Sequence, residues 1–512
     1  MRRRSLPSAA LAAVTVATLA AAPGAHAEAE AAGVRTVKVA SFDGTQILTN
    51  FFPAANLPAG VTAPTVLLGH GWGGRAETDP AGGQVGPLRA AGYNVVTWNA
   101  RGFGSEGAAN VDEPRVEGRD TMKLIDWIAR QPEAQLDGPG DPRLGMAGGS
   151  YGGAIQLVTA GLDKRVDVIV PVIAFNNLER TLYRDEVYRS GWGLILCTSG
   201  ISNGNKIAPQ VQAGCVAGLA AGQLPAALRK WFADHGPDQL VRKIKIPTLV
   251  VQGTVDTLFP LREGIATYQA IKGNGAPVKM IWFCGGHGQC TTNPGAPDHV
   301  MKATLTWFDR YLKRNPAAGT GPEFEYIDQD GAYHGAPAYP QPALSPLKAT
   351  GAGSLAFSRL DAGEFVQATP KDWTLPFLPS TMMAKPSAKA VNVPIPAPAS
   401  PGQTVGVPRV TLTYKGTAVP ARTALFAQIV DQGTGTVIGN QATPLPVTLD
   451  GRSHSLTRDL EAISWNVTPA SRLVLQIVPI TGLFDWQRSA GLVNLQASVS
   501  LPRVRPGTAL AG

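Results

Sequence analysis

From Val34 to Leu312 short apolar runs alternate with stretches of helical periodicity. The runs at 34–40, 65–68, 93–98, 143–147, 168–172, 248–252 and 278–283 predict strands, and 119–130, 154–160, 261–271 and 301–312 predict helices. Several of the strand runs are almost continuous Val, Ile and Leu, the pattern of a parallel sheet covered by helices on both faces. The alternation breaks after Val172: the next apolar run begins at Thr248, and between them lie helix-like pieces at 178–188 and 225–232. This interval, about 174–245, reads as a helical cap inserted over the carboxyl ends of the strands, a place suited to substrate selection. Beyond Gly319 the helical period disappears. Pro and Gly punctuate short runs at 409–414, 424–430 and 473–478, and Val493, Leu495, Ala497, Val499 and Leu501 alternate onto one face. Residues 319–512 therefore predict an all-β sandwich or jelly roll, with the Pro-rich stretch 392–401 as a loop or strap. The fold class is α/β, a doubly wound and mostly parallel sheet over 28–318, followed by that β domain.

The amino terminus stands apart from both. Arg2-Arg3-Arg4, an Ala/Val/Leu stretch from Ala9 to Ala22, and Ala25-His26-Ala27 have the layout of a secretory signal peptide over residues 1–27. The apolar stretch is short for a membrane span and is broken by Pro23-Gly24, and nothing later offers the ~18 uninterrupted apolar residues a span needs. Removal of 1–27 takes three arginines from a net charge of +8, leaving +5 without any Lys/Arg run. That spread of charge gives no support for nucleic-acid binding, and none is expected. The four cysteines, Cys197, Cys215, Cys284 and Cys290, suit an exported protein with two disulfides. Three pairings are open, besides four buried thiols; Cys197–Cys215 with Cys284–Cys290 is preferred. No C-x-x-C spacing points to zinc, and no metal or organic cofactor is implied. The sequon at Asn466 carries no expectation of glycosylation, because the Ala/Gly/Arg-rich leader looks bacterial.

Candidate chemistry centres on Gly148-Gly149-Ser150-Tyr151-Gly152-Gly153. With a strand before it and a helix after it, this is the layout of a nucleophile elbow with Ser150 exposed at the turn. With 58 glycines in the chain the pattern alone is weak; its partners carry the case. A serine hydroxyl needs a base and an acid that orients the base. Asp256 lies just past the strand at 248–252, and His287 lies in Cys284-Gly-Gly-His287-Gly-Gln-Cys290 after the strand at 278–283. The order Ser, Asp, His is that of α/β-hydrolases. Asp256 could instead close an Asx turn or cap the next helix. Among the seven histidines His299 is the nearest rival, while His235, His334 and His454 fall in the cap or the β domain. The backbone N–H groups of Tyr151 and of Trp72, in Gly69-His-Gly-Trp-Gly-Gly74, are the expected oxyanion donors, with His70 orienting that loop. Arg101, in Asn99-Ala-Arg-Gly-Phe-Gly-Ser-Glu-Gly107, reads as a structural ion-pair residue. A disulfide between Cys284 and Cys290 would restrain the imidazole between them.

Arg101-Gly-Phe-Gly-Ser-Glu-Gly107, Asp126-Trp127, the Gly-Gly-Ser-Tyr-Gly-Gly elbow and Pro408-Arg-Val-Thr-Leu-Thr413 in the β region resemble the X-Pro dipeptidyl-peptidase and cocaine-esterase-like acyl hydrolases. The resemblance spans nearly the whole mature chain. It implies an α/β-hydrolase core with a carboxyl-terminal jelly roll, and cleavage of either a proline-containing amino-terminal dipeptide or small esters and amides. Two stretches depart from it. The base of many relatives lies in a G-x-W-x-H-like stretch, against Phe283-Cys-Gly-Gly-His287-Gly288 here. Some relatives use a tyrosine side chain as oxyanion donor, whereas His70-Gly71-Trp72 favours a backbone donor.

The expected activity is a secreted, extracellular serine hydrolase acting through an acyl-enzyme on small esters, amides or short peptides. A strict carboxylesterase or lipase for apolar acyl esters is the alternative. A non-catalytic secreted binding protein, with the β domain as its working part, is the third reading. A dipeptidyl-peptidase needs carboxylates to hold a protonated amino terminus, and Glu179, Asp185 and Glu186 are candidates. Interspersed Arg180 and Arg184 also allow a self-paired helix face. An esterase needs an apolar acyl pocket, to which Phe175, Tyr183 and Trp192 could contribute together with Trp72. Nothing in the sequence bears on oligomeric state.

Overall fold

The computed structural model describes residues 33–363, 384–484 and 487–510. The predicted signal peptide lies outside these. In chain order the first sheet contains β1 (Arg35–Ala40), β2 (Gln46–Phe52), β3 (Thr65–Gly69), β4 (Asn94–Trp98), β5 (Leu144–Gly149), β6 (Val166–Val172), β7 (Thr248–Gly253), β8 (Val278–Phe283), β9 (Phe324–Ile327) and β10 (Tyr333–Ala336). Their spatial order is β1-β2-β4-β3-β5-β6-β7-β8-β9-β10, with Thr508–Ala509 added at the far edge. The ladders from β4 through β3, β5, β6, β7 and β8 to β9 are parallel, and the two ends of the sheet are antiparallel.

Alternate strand residues enter two different cores, which is why the runs read as continuously apolar. Leu67, Val96, Met146, Ile169, Val250 and Met280 join one core with helices α2 (Glu117–Ile128), α3 (Tyr151–Leu162) and α9 (Leu261–Gly273). Their neighbours Val66, Val95, Ala147, Val170, Val251 and Ile281 face α1 (Val85–Ala90) and α10 (His299–Tyr311) on the other side. The two-residue period of the strand does this sorting. Between β6 and β7 runs the helical insertion: α4 (Leu178–Leu182), α5 (Ser190–Ile201), α6 (Pro209–Ala221), α7 (Ala226–Asp234) and α8 (Asp238–Val241).

The second domain is antiparallel throughout. Its longest strand, Arg409–Asp431, pairs along its first half with Ala490–Val504 and along its second with Leu473–Val478, so one strand serves two parts of the sheet. Its core gathers Val410, Leu412, Leu475, Ile477, Val493, Leu495, Val499 and Leu501.

Two differences from the sequence pattern are instructive. Strand β2 escapes the pattern because Gln46-Ile-Leu-Thr-Asn-Phe-Phe52 mixes polar and apolar residues on both faces. The division drawn at 318/319 does not mark the edge of the first sheet, since β9, β10 and Thr508–Ala509 all extend it. Short strands in a Pro/Gly-rich stretch carry no mark of which sheet they will join. The two domains are consequently interlocked: Tyr326 on β9 donates to Gln403 Oε1 at 2.6 Å, and Asn466 Nδ2 donates to Asp328 at 2.9 Å.

Candidate active site

Ser150 sits between the last residue of β5 and the first of α3, with φ 59° and ψ −118°. A positive φ at a non-glycine residue is strained and is held here by its surroundings. The Ser150 N–H donates to the Val172 carbonyl, and the N–H groups of Gly153 and Ala154 donate to the Ser150 carbonyl, each at 2.9 Å. The glycines are required by contact: a Cβ on Gly152 would stand 2.3 Å from the Gly69 carbonyl oxygen, and one on Gly148 2.4 Å from the same atom. Strand β3 and the start of α3 are thus pressed backbone to backbone under the serine.

The loops after β7 and β8 bring the two other residues. Asp256 is wholly buried. Its Oδ1 accepts from the N–H groups of Leu258 (3.0 Å) and Phe259 (2.7 Å), and its Oδ2 lies 2.8 Å from His287 Nδ1. His287 Nε2 lies 2.7 Å from Ser150 Oγ. The carboxylate only accepts, so Nδ1 carries the proton and Nε2 is left to accept from the serine hydroxyl. Asp256 therefore closes an Asx-type turn and holds the imidazole with its other oxygen. Space beside His287 is reserved by glycine: a Cβ on Gly286 would come within 2.5 Å of Asp256 Cβ, and one on Gly288 within 2.3 Å of the Val255 carbonyl oxygen. The rings of Phe259 and Trp192 stand edge-on to the imidazole at 4.9 and 5.8 Å. A disulfide joins Cys284 to Cys290 across this loop, and a second joins Cys197 to Cys215. The rival histidines are engaged elsewhere: His299 with Glu325, His235 with Glu113, His334 with Asp328 and His454 with Asp450.

Beside the serine, the Tyr151 amide is the first of α3, where backbone N–H groups have no partner within the helix. The loop after β3 runs close by: a Cβ built on Gly71 would lie 4.0 Å from Ser150 Cβ. His70 shapes this loop. Its Nδ1 donates to the Gly71 carbonyl at 2.7 Å, and its Nε2 accepts from the Ala100 N–H at 2.9 Å. Burial pushes its pKa down to about 4, so the ring is neutral at neutral pH. Trp72 Nε1 donates to the Leu196 carbonyl of α5 at 2.9 Å, and its ring stands edge-on to Phe103 and Tyr151. Arg101 is buried and bonds Asp120 through two nitrogens at 2.7 and 2.6 Å and Asp43 at 3.0 Å, a structural clasp for its loop. One element has no mark in the sequence: the Tyr151 hydroxyl donates to Glu117 at 3.2 Å, a carboxyl that burial pushes up to about 7.

Ser150, Trp72 and Tyr151 open into a cavity between the sheet and the cap. Phe175, Phe259, Leu182, Leu196, Val211 and Phe232 are among its walls, together with the Cys197–Cys215 disulfide. Of the pocket residues the sequence suggested, Phe175 and Trp72 line it. Trp192 instead backs His287, with its Nε1 donating to Thr257 Oγ1 at 3.0 Å. Tyr183 lies beneath the guanidinium of Arg229, 5.0 Å from its ring centre, and is not among the residues that line the cavity. The three suggested carboxylates are absorbed in ion pairs: Glu179 with Arg229, Asp185 with Arg184 and Arg458, and Glu186 with Arg229 and Arg422. No carboxylate occurs among the described residues that line the pocket. The walls Leu178, Leu182, Tyr188, Val211, Leu224 and Phe232 had no sequence signal beyond an apolar cap.

Comparison with known proteins bears on the family and the fold. Residues 43–289 match the model of the X-Pro dipeptidyl-peptidase (S15) family. The hydrolase domain belongs to that family. The match of this S15 hydrolase runs from just before β2 to just past His287. Over 230 residues, 41% of the chain, it is 24% identical to an uncharacterized 31.7 kDa protein in the traX-finO intergenic region of Escherichia coli, covering 78% of that protein. Among solved structures it is similar to an alpha-amino acid ester hydrolase, with a TM-score of 0.70 at 15% identity over 92% of this chain and 96% of that one. An aminopeptidase from a Thaumarchaeota archaeon superposes with a TM-score of 0.68 at 14% identity, over 92% and 96% of the two chains. A CocE/NonD family hydrolase from Staphylococcus aureus gives 0.62 at 14% identity over 93% and 97%. These three share the two-domain fold.

Proposed function

We propose that this S15 hydrolase is a secreted serine esterase for small esters with an apolar acyl group, and that Ser150, His287 and Asp256 are its nucleophile, base and orienting acid. The observation that carries the reading is the hydrogen-bonded chain from Ser150 Oγ through His287 to Asp256 at 2.7 and 2.8 Å, at the mouth of an apolar pocket. Ser150 Oγ attacks the ester carbonyl while His287 Nε2 takes its proton. Asp256 stabilises the imidazolium that results. The carbonyl oxygen, now an oxyanion, accepts from the N–H groups of Tyr151 and Trp72. Collapse of the tetrahedral intermediate expels the alcohol, which takes the proton from His287. Water then repeats the sequence on the acyl-enzyme, releasing the acid and restoring Ser150.

The pocket favours the ester reading over removal of amino-terminal dipeptides. A protonated amino terminus needs a carboxylate that is not already satisfied, and Glu179, Asp185 and Glu186 each face an arginine. The two disulfides and the signal-like amino terminus support export to an oxidising compartment. Purified mature protein tests this directly with p-nitrophenyl acyl esters beside Ala-Pro and Gly-Pro p-nitroanilides. Turnover of butyrate or hexanoate esters with negligible anilide cleavage is expected. Preferred cleavage of the anilides would replace the esterase reading with a dipeptidyl-peptidase. No labelling by a fluorophosphonate probe would end the serine-hydrolase reading.

A further inference from the structure

The loop that carries Asp256 is held by the other domain. Gln441 Nε2, from the β domain, donates to the Asp256 carbonyl at 2.6 Å, and both residues are buried. The next carbonyl, that of Thr257, accepts from Arg189 Nη1. Arg189 is itself almost completely buried, and its Nη2 lies 3.9 Å from the Glu461 carboxylate, again from the β domain. Glu461 also pairs with Arg184 and, at 3.1 Å, with Arg262. Two consecutive peptide carbonyls are thus fastened, one by a β-domain amide and one by a buried arginine that faces a β-domain carboxylate. The turn Ile438–Asn440 packs on the same loop, where a Cβ on Gly439 would stand 3.2 Å from the Thr254 carbonyl oxygen.

We propose that the carboxyl-terminal β domain positions the acid of the site, with Gln441, and Glu461 acting through Arg189, as positioning residues for Asp256. The inference rests on Asp256 acting as the acid, as read above. The carboxylate has one oxygen committed to the amides of Leu258 and Phe259 and one to His287. A shift of the 256–257 peptide moves both, and the imidazole with them. Small displacements of a catalytic group are costly in rate because the reacting geometry is narrow.

Three variants of the full mature chain test it: Gln441→Met, which keeps length and bulk but removes the donor; Glu461→Gln; and Val493→Ala, a deletion in the β-domain core. For each, kcat and KM on p-nitrophenyl butyrate, the rate of fluorophosphonate labelling and Tm are measured. Gln441→Met is expected to lower kcat about tenfold or more, leave KM within about twofold, and slow labelling in proportion. Glu461→Gln should show the same split between kcat and KM on its folded fraction. Val493→Ala should lower Tm and leave kcat and labelling unchanged. Wild-type kcat in both Gln441→Met and Glu461→Gln would overturn the proposal, as would an equal loss of kcat in Val493→Ala. Failure of the wild-type protein to label would instead overturn the serine-hydrolase reading.

Discussion

His70 makes stability depend on pH in a way the structure specifies. Its neutral ring donates through Nδ1 to Gly71 and accepts through Nε2 from Ala100. Protonation would turn Nε2 into a donor facing another donor, the Ala100 N–H. Burial holds its pKa at about 4 against an unfolded value of 6.5. As pH falls the unfolded chain therefore binds this proton first. The stability due to His70 is fully present above about pH 6.5 and is lost as pH falls through that value to about 4. Two and a half pH units at 1.36 kcal/mol each give about 3 kcal/mol, and the partial solvent access of the ring brings this closer to ~2 kcal/mol. The perturbation is His70→Gln, whose amide can donate and accept without titrating. Urea denaturation followed by tryptophan fluorescence, run on both proteins between pH 7.5 and 4.5, reads the difference. Wild type should be the more stable at pH 7.5 and should lose about 2 kcal/mol of that advantage by pH 4.5. Parallel stability curves across this range would refute the assignment of a neutral, doubly bonded His70.

Replacing Ser150 by Ala should abolish fluorophosphonate labelling and cost several orders of magnitude in kcat while leaving Tm near wild type; labelling that persists would place the nucleophile elsewhere. Gly152→Ala should reduce both expression of folded protein and activity, because its Cβ would stand 2.3 Å from a backbone oxygen of Gly69; a soluble variant with wild-type kcat would show that β3 and α3 can separate. Changing both Cys284 and Cys290 to Ser opens a short loop and should lower stability by about 2 kcal/mol and lower kcat through a looser His287; thermal melts and initial rates check this. Val211→Phe, which fills the apolar pocket, should raise KM for hexanoate esters well above its effect on acetate esters; equal effects on both would move the acyl site out of this cavity.

How much of this was legible in the sequence follows from what is local. The elbow is local: a strand, a glycine-flanked serine and a helix in succession report themselves. Asp256 and His287 are distant from it in sequence, yet both end parallel strands, and parallel strands deliver their carboxyl-terminal loops to the same edge of the sheet. That geometric rule let the pattern of apolar runs forecast their meeting. The cap resisted reading because its helices α5 and α6 are apolar nearly all round, so periodicity does not say which residues face the pocket. Trp192 and Phe175 look equivalent as aromatic residues of one insertion, but one backs the imidazole and the other lines the cavity. The cap carboxylates look available until their arginines, some of them from the other domain, are placed beside them.

By itself, then, the sequence determined the two-layer periodicities, the α/β core with its trailing β domain, and which side chains meet at the ends of β5, β7 and β8, because each of these depends on local pattern and on the fixed polarity of a parallel sheet. Only the tertiary structure decided that β9, β10 and Thr508–Ala509 complete the first sheet, that the pocket is apolar, and that Gln441 and Glu461 reach the acid loop. Those are contacts between segments far apart in the chain, made by ordinary residues whose partners are set by packing and not by any spacing along the backbone.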